Sequence, residues 1–201
     1  MLSANGTIFT YEYEAIIPGL LKRWYAERQE MQKKMRECGD NEIEREYWDK
    51  RQLVKKINLN SLYGAILNPG CRFFDIRIGQ SVTLTGRCIT KHMASKVNEI
   101  VAGKYDHKGE SVVYGDTDSV YFSAYKTLQK EINEGIIPWT KDSVVALYDR
   151  IADEVNGSFK SFMTRAFHTP STRGEVIAAG RELVASKGLF ITKKRYAVLY
   201  Y

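Results

Sequence analysis

No stretch of the 201 residues approaches the ~18 consecutive apolar residues that a membrane span needs. The opening MLSANGTIFTYEYE has no basic start followed by an apolar run, so it does not read as a secretory signal. Proline is scarce, at 4, and aromatics make up 12%. That combination excludes a collagen, a mucin or a disordered tail. The three cysteines, Cys38, Cys71 and Cys88, are an odd count without a CxxC pair. They read as reduced thiols in a cytoplasm-like compartment. The three histidines stand at no zinc-finger spacing from them. Acid is missing from one place in particular. From Leu183 to the end the chain carries Lys187, Lys193, Lys194 and Arg195 without a single Asp or Glu. With Tyr196, Tyr200 and Tyr201 interleaved, this strip points to nucleic acid more sharply than the overall charge of +6 does.

Hydrophobic spacing supplies the organisation. GTIFTY predicts an extended lead-in. Ile17, Leu20, Leu21, Trp24, Met31 and Met35 recur at helical intervals, and Cys38-Gly39-Asp40-Asn41 breaks the pattern. A second helix is predicted from about Glu42 to Leu67, closed by Asn68-Pro69-Gly70. Together they form an αα-hairpin carrying eleven basic and eight acidic residues between Lys22 and Lys56. A third helix follows Asp75, through His92, Met93, Val97 and Ile100. Ser111-Val-Val-Tyr and Ser119-Val-Tyr-Phe-Ser, around Gly115-Asp116-Thr117-Asp118, predict a β-hairpin. Asp142 to Phe167 predicts another helix. Strand-like runs follow at Glu175 to Ala179, Leu189 to Thr192 and Tyr196 to Tyr201.

Two features carry candidate chemistry. Asp116 and Asp118, at i and i+2, converge at a hairpin tip, where carboxylate repulsion invites a hard cation such as Mg²⁺. A solvated Asp-rich turn is the plainer alternative. On the second helix, Lys56, Asn60 and Tyr63 line one face, which ends at Gly64. An ammonium, an amide, a ring and a glycine can hold a phosphate and a base. Val54, Ile57, Ser61 and Ala65 are the expected inward face; a charged, wet stripe is the alternative. Arg28 falls on the apolar stripe of the first helix, so it meets an anion or snorkels to solvent. Lys193-Lys194-Arg195-Tyr196 is expected to place cations on both sides of a strand for phosphate contact, or to guard an edge.

YGDTDS, KxxxNSLYG and KKRY, in the order B, C, KxY along the chain, resemble motifs of the family B DNA polymerases. AERQEMQKKM is similar to the family's first fingers helix, and GRELVASKGLFITKKRY to the approach to its KxY strand. The resemblance covers essentially the whole chain and is nearest to the T-even-type phage replicative enzymes. It implies an α+β fold: a palm antiparallel sheet backed by helices, with a fingers αα-hairpin. The implied limits are 1–14 leading into the palm, 15–68 fingers, and 69–201 palm. Implied roles are Asp116 and Asp118 as ligands of catalytic Mg²⁺, and Arg28, Lys56 and Asn60 on the incoming triphosphate. Lys56 is also the implied proton donor to pyrophosphate. The resemblance also implies that Tyr63 and Gly64 check the nascent base pair and that Lys193, Lys194 and Tyr196 contact the primer. Gln32 stands where the phage pattern has a lysine, with Lys33 beside it.

The resemblance implies two-metal nucleotidyl transfer from a dNTP to a primer 3′-hydroxyl on primer–template DNA. It also marks the fold as incomplete: no motif A aspartate, exonuclease or thumb is recognisable in these residues. The expected partner is therefore a second polypeptide carrying motif A, exonuclease or thumb. A sliding clamp engaged by a further C-terminus, no membrane, and the cytoplasm (the host's, if viral) complete the expectation. Two readings of other classes stand beside it. One is a DNA-binding or assembly module without catalysis. The other is a metal-dependent phosphohydrolase using Asp116, Asp118 and a further acid such as Glu110 or Glu182.

Overall fold

A computed structural model of the chain describes residues 1–200; Tyr201, counted above in the last strand, lies outside them. The order is α1 (Ile16–Glu37), α2 (Glu42–Ile66), α3 (Ile76–Ala102), β1 (Val112–Asp116), β2 (Ser119–Phe122), α4 (Tyr125–Asn133), α5 (Lys141–Phe167), a 3₁₀ turn (Gly174–Val176), β3 (Ala185–Thr192) and β4 (Arg195–Tyr200). The residues gather into two compact units. One is Thr7–Ser81; the other is Met1–Gly6 with residues 82–200. Among the described residues no helix is long and apolar enough to cross a membrane.

The Thr7–Ser81 unit is the predicted αα-hairpin. Gly39 takes φ +55 just past the end of α1, a conformation glycine adopts without a Cβ penalty. Asn41 then caps α2, its side chain accepting the Glu44 N–H at 3.2 Å. The seam between the helices is half polar. Arg28 Nε donates to Gln52 Oε1 at 3.2 Å, and Lys55 pairs with Glu27 at 2.5 Å while lying over the Trp24 ring. Lys34 sits 4.7 Å from the centre of the Trp48 ring. No residue of α1 is fully buried, and in α2 only Ile66 is. At the base, Tyr63 Oη donates to the Gly79 carbonyl at 3.1 Å, and a Cβ on Gly79 would overlap the Leu67 side chain.

The inward face of α2 corrects the sequence expectation. Val54 and Ile57 are 55% and 54% exposed, and Ser61 is exposed as well. Gln52, Lys55, Leu59 and Leu62 are the half-buried set instead, at spacings of three and four. In a two-helix hairpin the partner selects the buried stripe. Here Trp24, Glu27 and Arg28 selected the one carrying Gln52 and Lys55.

The other unit has a conventional core. Val97 of α3 meets Ile151, Val155 and Phe159 of α5, with Ile89, Met93, Leu147 and Phe122 against them. Thr140 and Ser143 form a reciprocal capping box at the start of α5. His92 is buried between Tyr105 Oη (2.7 Å) and Ser158 Oγ (2.9 Å), and stacks on Phe162. Ser158 gives its proton to the Val155 carbonyl, so its oxygen receives the His92 Nε2–H, and Tyr105 donates to Nδ1. Burial, then the nearby Lys96 and Arg165 charges, pushes this imidazole below its ordinary pKa.

One expected antiparallel sheet is, among the described residues, two separate two-stranded sheets, β1–β2 and β3–β4. The expected strand Glu175 to Ala179 is a 3₁₀ turn and extended chain. There the Asn156 side-chain amide takes a strand partner's place, bonding both the Ala179 N–H (2.7 Å) and its carbonyl (2.9 Å).

Candidate active site

The Asp-bearing hairpin is tighter than predicted. Gly115 and Asp116 belong to β1, Asp116 faces Ser119 across the ladder, and Thr117-Asp118 alone make the turn. Thr117 stands at φ 49. For an L-residue the left-handed region costs about 1–2 kcal/mol, and for a β-branched one it is an outlier. The surroundings hold it there. Thr90 Oγ1 of α3 lies 2.8 Å from the Thr117 carbonyl, and Thr117 Oγ1 donates to Asp116 Oδ1 at 3.2 Å. Ser119 Oγ donates to the Asp116 carbonyl at 3.1 Å. Asp116 is half-buried and Asp118 exposed. These neighbours hold the strained turn in place.

The basic turn stands against this hairpin. Thr192 pairs with Arg195, so Lys193-Lys194 form the turn between β3 and β4, with Lys194 at φ 63. The cations expected on both sides of a strand are thus at its tip, because the tight turn consumes two of them. Tyr114, Tyr121, Phe190 and Tyr196 form one aromatic cluster, with ring centres 5.2–5.8 Å apart. It joins the two sheets through side chains, with no ladder between them. Tyr121 and Tyr196 share a hydroxyl hydrogen bond of 2.9 Å, and Tyr114 Oη accepts the Lys194 N–H at 2.8 Å. The Tyr196 bond, with burial second, pushes the Tyr121 phenol up to about 12. Both tips open onto one cleft of about 240 Å³, bordered by Asp116, Asp118, Lys194 and Tyr196.

On the hairpin unit, Lys56 and Asn60 are exposed on one face of α2, with Tyr63 half-buried one turn on. Lys22, Arg23, Lys33, Lys34, Lys50 and Lys55 all have carboxylate partners. Among the described residues no carboxylate lies within ion-pair distance of Arg28 or Lys56; Arg36, Arg45 and Arg51 share that property. Lys33, the cation beside Gln32, is engaged with Glu37 at 3.8 Å. Gly64 lies inside α2, where glycine costs about 1 kcal/mol against alanine. A Cβ there would meet nothing within 4 Å, so packing in this chain does not require it.

Sequence reasoning missed Thr90 and the anchoring part of Tyr114. Thr90 carries no signal beyond a polar residue in an amphipathic helix. Tyr114 was visible as the first letter of YGDTDS, but its partner lies eighty positions away.

Asp116 and Asp118 offer the hard oxygen donors that suit Mg²⁺. Among the described residues no group of three or more His, Cys, Asp or Glu is placed to hold a metal ion.

Residues 3–163 match the model of DNA polymerase family B. The chain is 32% identical over 158 residues to the DNA-directed DNA polymerase of Escherichia phage RB69, covering 73% of this chain and 17% of that one. It is 30% identical over 190 residues to the DNA polymerase delta catalytic subunit of Oryza sativa subsp. japonica, covering 94% and 15%. It is 26% identical over 199 residues to DNA polymerase 1 of Pyrococcus abyssi, covering 96% and 24%. The phage sequence is thus no nearer in kind than the plant or archaeal ones, and the chain spans a quarter or less of each relative. A model match over most of the chain, with the Asp116–Asp118 turn inside it, places this protein among the family B DNA polymerases.

Proposed function

We propose that these residues take part in template-directed DNA synthesis, as the fingers and part of the palm of a polymerase. The observation that carries the reading is the Asp116-Thr117-Asp118 turn. It is strained at Thr117, anchored by Thr90, and opens on the same cleft as the Lys194 turn. The Thr7–Ser81 unit is assigned to the incoming nucleotide and the other unit to metal and primer.

Asp116 and Asp118 would hold Mg²⁺ with a further carboxylate supplied from outside these 201 residues. When bound, the metal supplies charge neutralisation for the triphosphate and acidifies the primer hydroxyl. The chain's own residues do the remaining work. Arg28 and Lys56, without carboxylate partners, bind the triphosphate, and Asn60 orients it. Lys56 Nζ holds the proton that the departing pyrophosphate takes. The open space before Gly64 admits the nascent base pair, which Tyr63 checks by shape. Lys193, Lys194 and Tyr196 hold the primer strand, while base pairing selects sequence. Partners beyond nucleotides and DNA, a motif A chain and a clamp among them, remain part of the proposal, as does an intracellular site. The narrower affiliation to T-even-type phage replicative enzymes belongs to the same proposal.

The test is primer extension by this chain, alone and mixed with a polypeptide carrying a motif A aspartate. Synthesis is expected only in the mixture. Extension by the 201 residues alone at ordinary polymerase rates refutes the shared metal site. DNA binding without synthesis in either case favours the non-catalytic module.

A further inference from the structure

Tyr114 is absent from every set of residues assigned above to metal, nucleotide or DNA, yet it joins the two turns that carry those roles. It lies two positions before Asp116 on β1, so both side chains leave the same face of the strand. Its hydroxyl accepts the backbone N–H of Lys194 at 2.8 Å. Lys194 is held at φ 63, a conformation an L-residue keeps only where its surroundings impose it. The Tyr114 ring is itself immobilised. It contacts Tyr121 at 5.8 Å, Phe190 at 5.6 Å and Tyr196 at 5.7 Å between centres. A phenol gripped on three sides presents its oxygen at a fixed point. The lysine turn is bonded to that point, and among the described residues no carboxylate lies within ion-pair distance of the Lys194 ammonium.

We propose that Tyr114 is a positioning residue. By accepting the Lys194 N–H, it fixes the direction from which the Lys194 ammonium meets a DNA phosphate beside the Asp116–Asp118 turn. The inference rests on the DNA reading of Lys194. Tyr114 lines the same cleft as Asp116, Asp118 and Lys194, and its proposed role is exerted through the lysine.

Lys194→Ala keeps the backbone N–H and therefore the bond to Tyr114, while Tyr114→Phe keeps the ring and removes the bond. The two can thus be separated. A labelled primer–template duplex is titrated with the chain, by fluorescence anisotropy at several salt concentrations. Wild type, both single variants and the double variant are compared. Tyr114→Phe is expected to weaken binding about three- to tenfold, the range of one lost hydrogen bond. It should also flatten the logarithmic salt dependence by about one unit, as Lys194→Ala does. In the Lys194→Ala background it should change neither quantity.

A loss of affinity with the wild-type salt slope, or of equal size in both backgrounds, would mark Tyr114 as merely structural and overturn the proposal. If Lys194→Ala keeps wild-type affinity and slope, the DNA reading falls and this inference falls with it. If Lys194→Ala flattens the slope and Tyr114→Phe does not, the inference alone falls. Should Tyr114→Phe not fold, amide exchange at Lys194 in the wild-type chain decides. Protection supports the tie, and exchange at an open turn's rate refutes it.

Discussion

The two units of this chain are stabilised by different means. The Thr7–Ser81 hairpin has a seam of Trp24, Arg28, Gln52 and Lys55, with Ile66 as the one buried residue of its two long helices. The other unit buries Val144, Ile151, Val155, Phe159, Met163 and Phe167 along a single helix. Apolar burial contributes roughly 25 cal/mol per Å², whereas an exposed ion pair contributes about 0–1 kcal/mol. The hairpin is therefore the weaker unit, and elements that must move are drawn from the weaker end of a fold. The core-bearing unit holds the strained Asp turn, because strain persists only where a firm surrounding imposes it.

The largest effect that can break this contrast is a core truncation. Phe159→Ala should cost about 3–5 kcal/mol in denaturant unfolding, as expected for a buried aromatic. Leu62→Ala on the hairpin seam, half-buried, should cost under about 2 kcal/mol. Equal losses would show that the hairpin has a hidden core and erase the distinction.

A smaller effect separates the units by substrate. In a polymerase assembled with a motif A chain, Lys56→Ala should weaken dNTP use and slow incorporation about tenfold or more, with DNA affinity nearly unchanged. Lys194→Ala should weaken primer–template binding and flatten its salt dependence by about one unit, with little effect on dNTP titration. Interchanged phenotypes would reverse the assignment of the two units.

The smallest effects are in pH, and they have opposite signs. In the hairpin unit, the Arg77 guanidinium, joined by the Arg77 backbone N–H, holds the Asp75 carboxyl down to about 2. A lowered carboxyl adds stability above its unfolded value near 4, and this is lost as pH falls from about 4 toward 2. In the other unit the Tyr121 phenol, raised to about 12, adds stability below pH 10 that is lost as pH rises toward 12. Amide exchange should thus show acid loosening around Asp75 and alkaline loosening around β2. Tyr196→Phe should remove most of the alkaline part, and an unchanged alkaline profile in that variant would show that the shared hydroxyl bond is not its cause.

The same contrast explains what could be read from the letters. α5 and the break at Gly39-Asn41 were legible, because a firm core imposes helical spacing and a turn imposes its residue types. The buried face of α2 was not, since a polar seam leaves no apolar stripe to mark it. α4 is nine residues long and went unread between two stronger signals. Glu175 to Ala179 looked like a strand because its residues suit one; the Asn156 amide that replaces the partner strand lies in α5. At the site, Asp116 and Asp118 were visible by spacing. Thr90 and the Tyr114–Lys194 bond were not, since tertiary packing alone creates them.

The account's central claim is that the Asp116-Thr117-Asp118 turn serves catalysis rather than structure. Asp118→Asn in the assembled polymerase tests it most directly, with single-nucleotide incorporation and primer–template affinity measured on the same preparation. Asn keeps size and polarity but loses the charge a divalent metal requires. Incorporation should fall about a thousandfold or more, roughly 4 kcal/mol of barrier, while DNA affinity stays within about twofold. Preserved incorporation together with a large loss of DNA affinity would contradict the claim and make the turn a structural element.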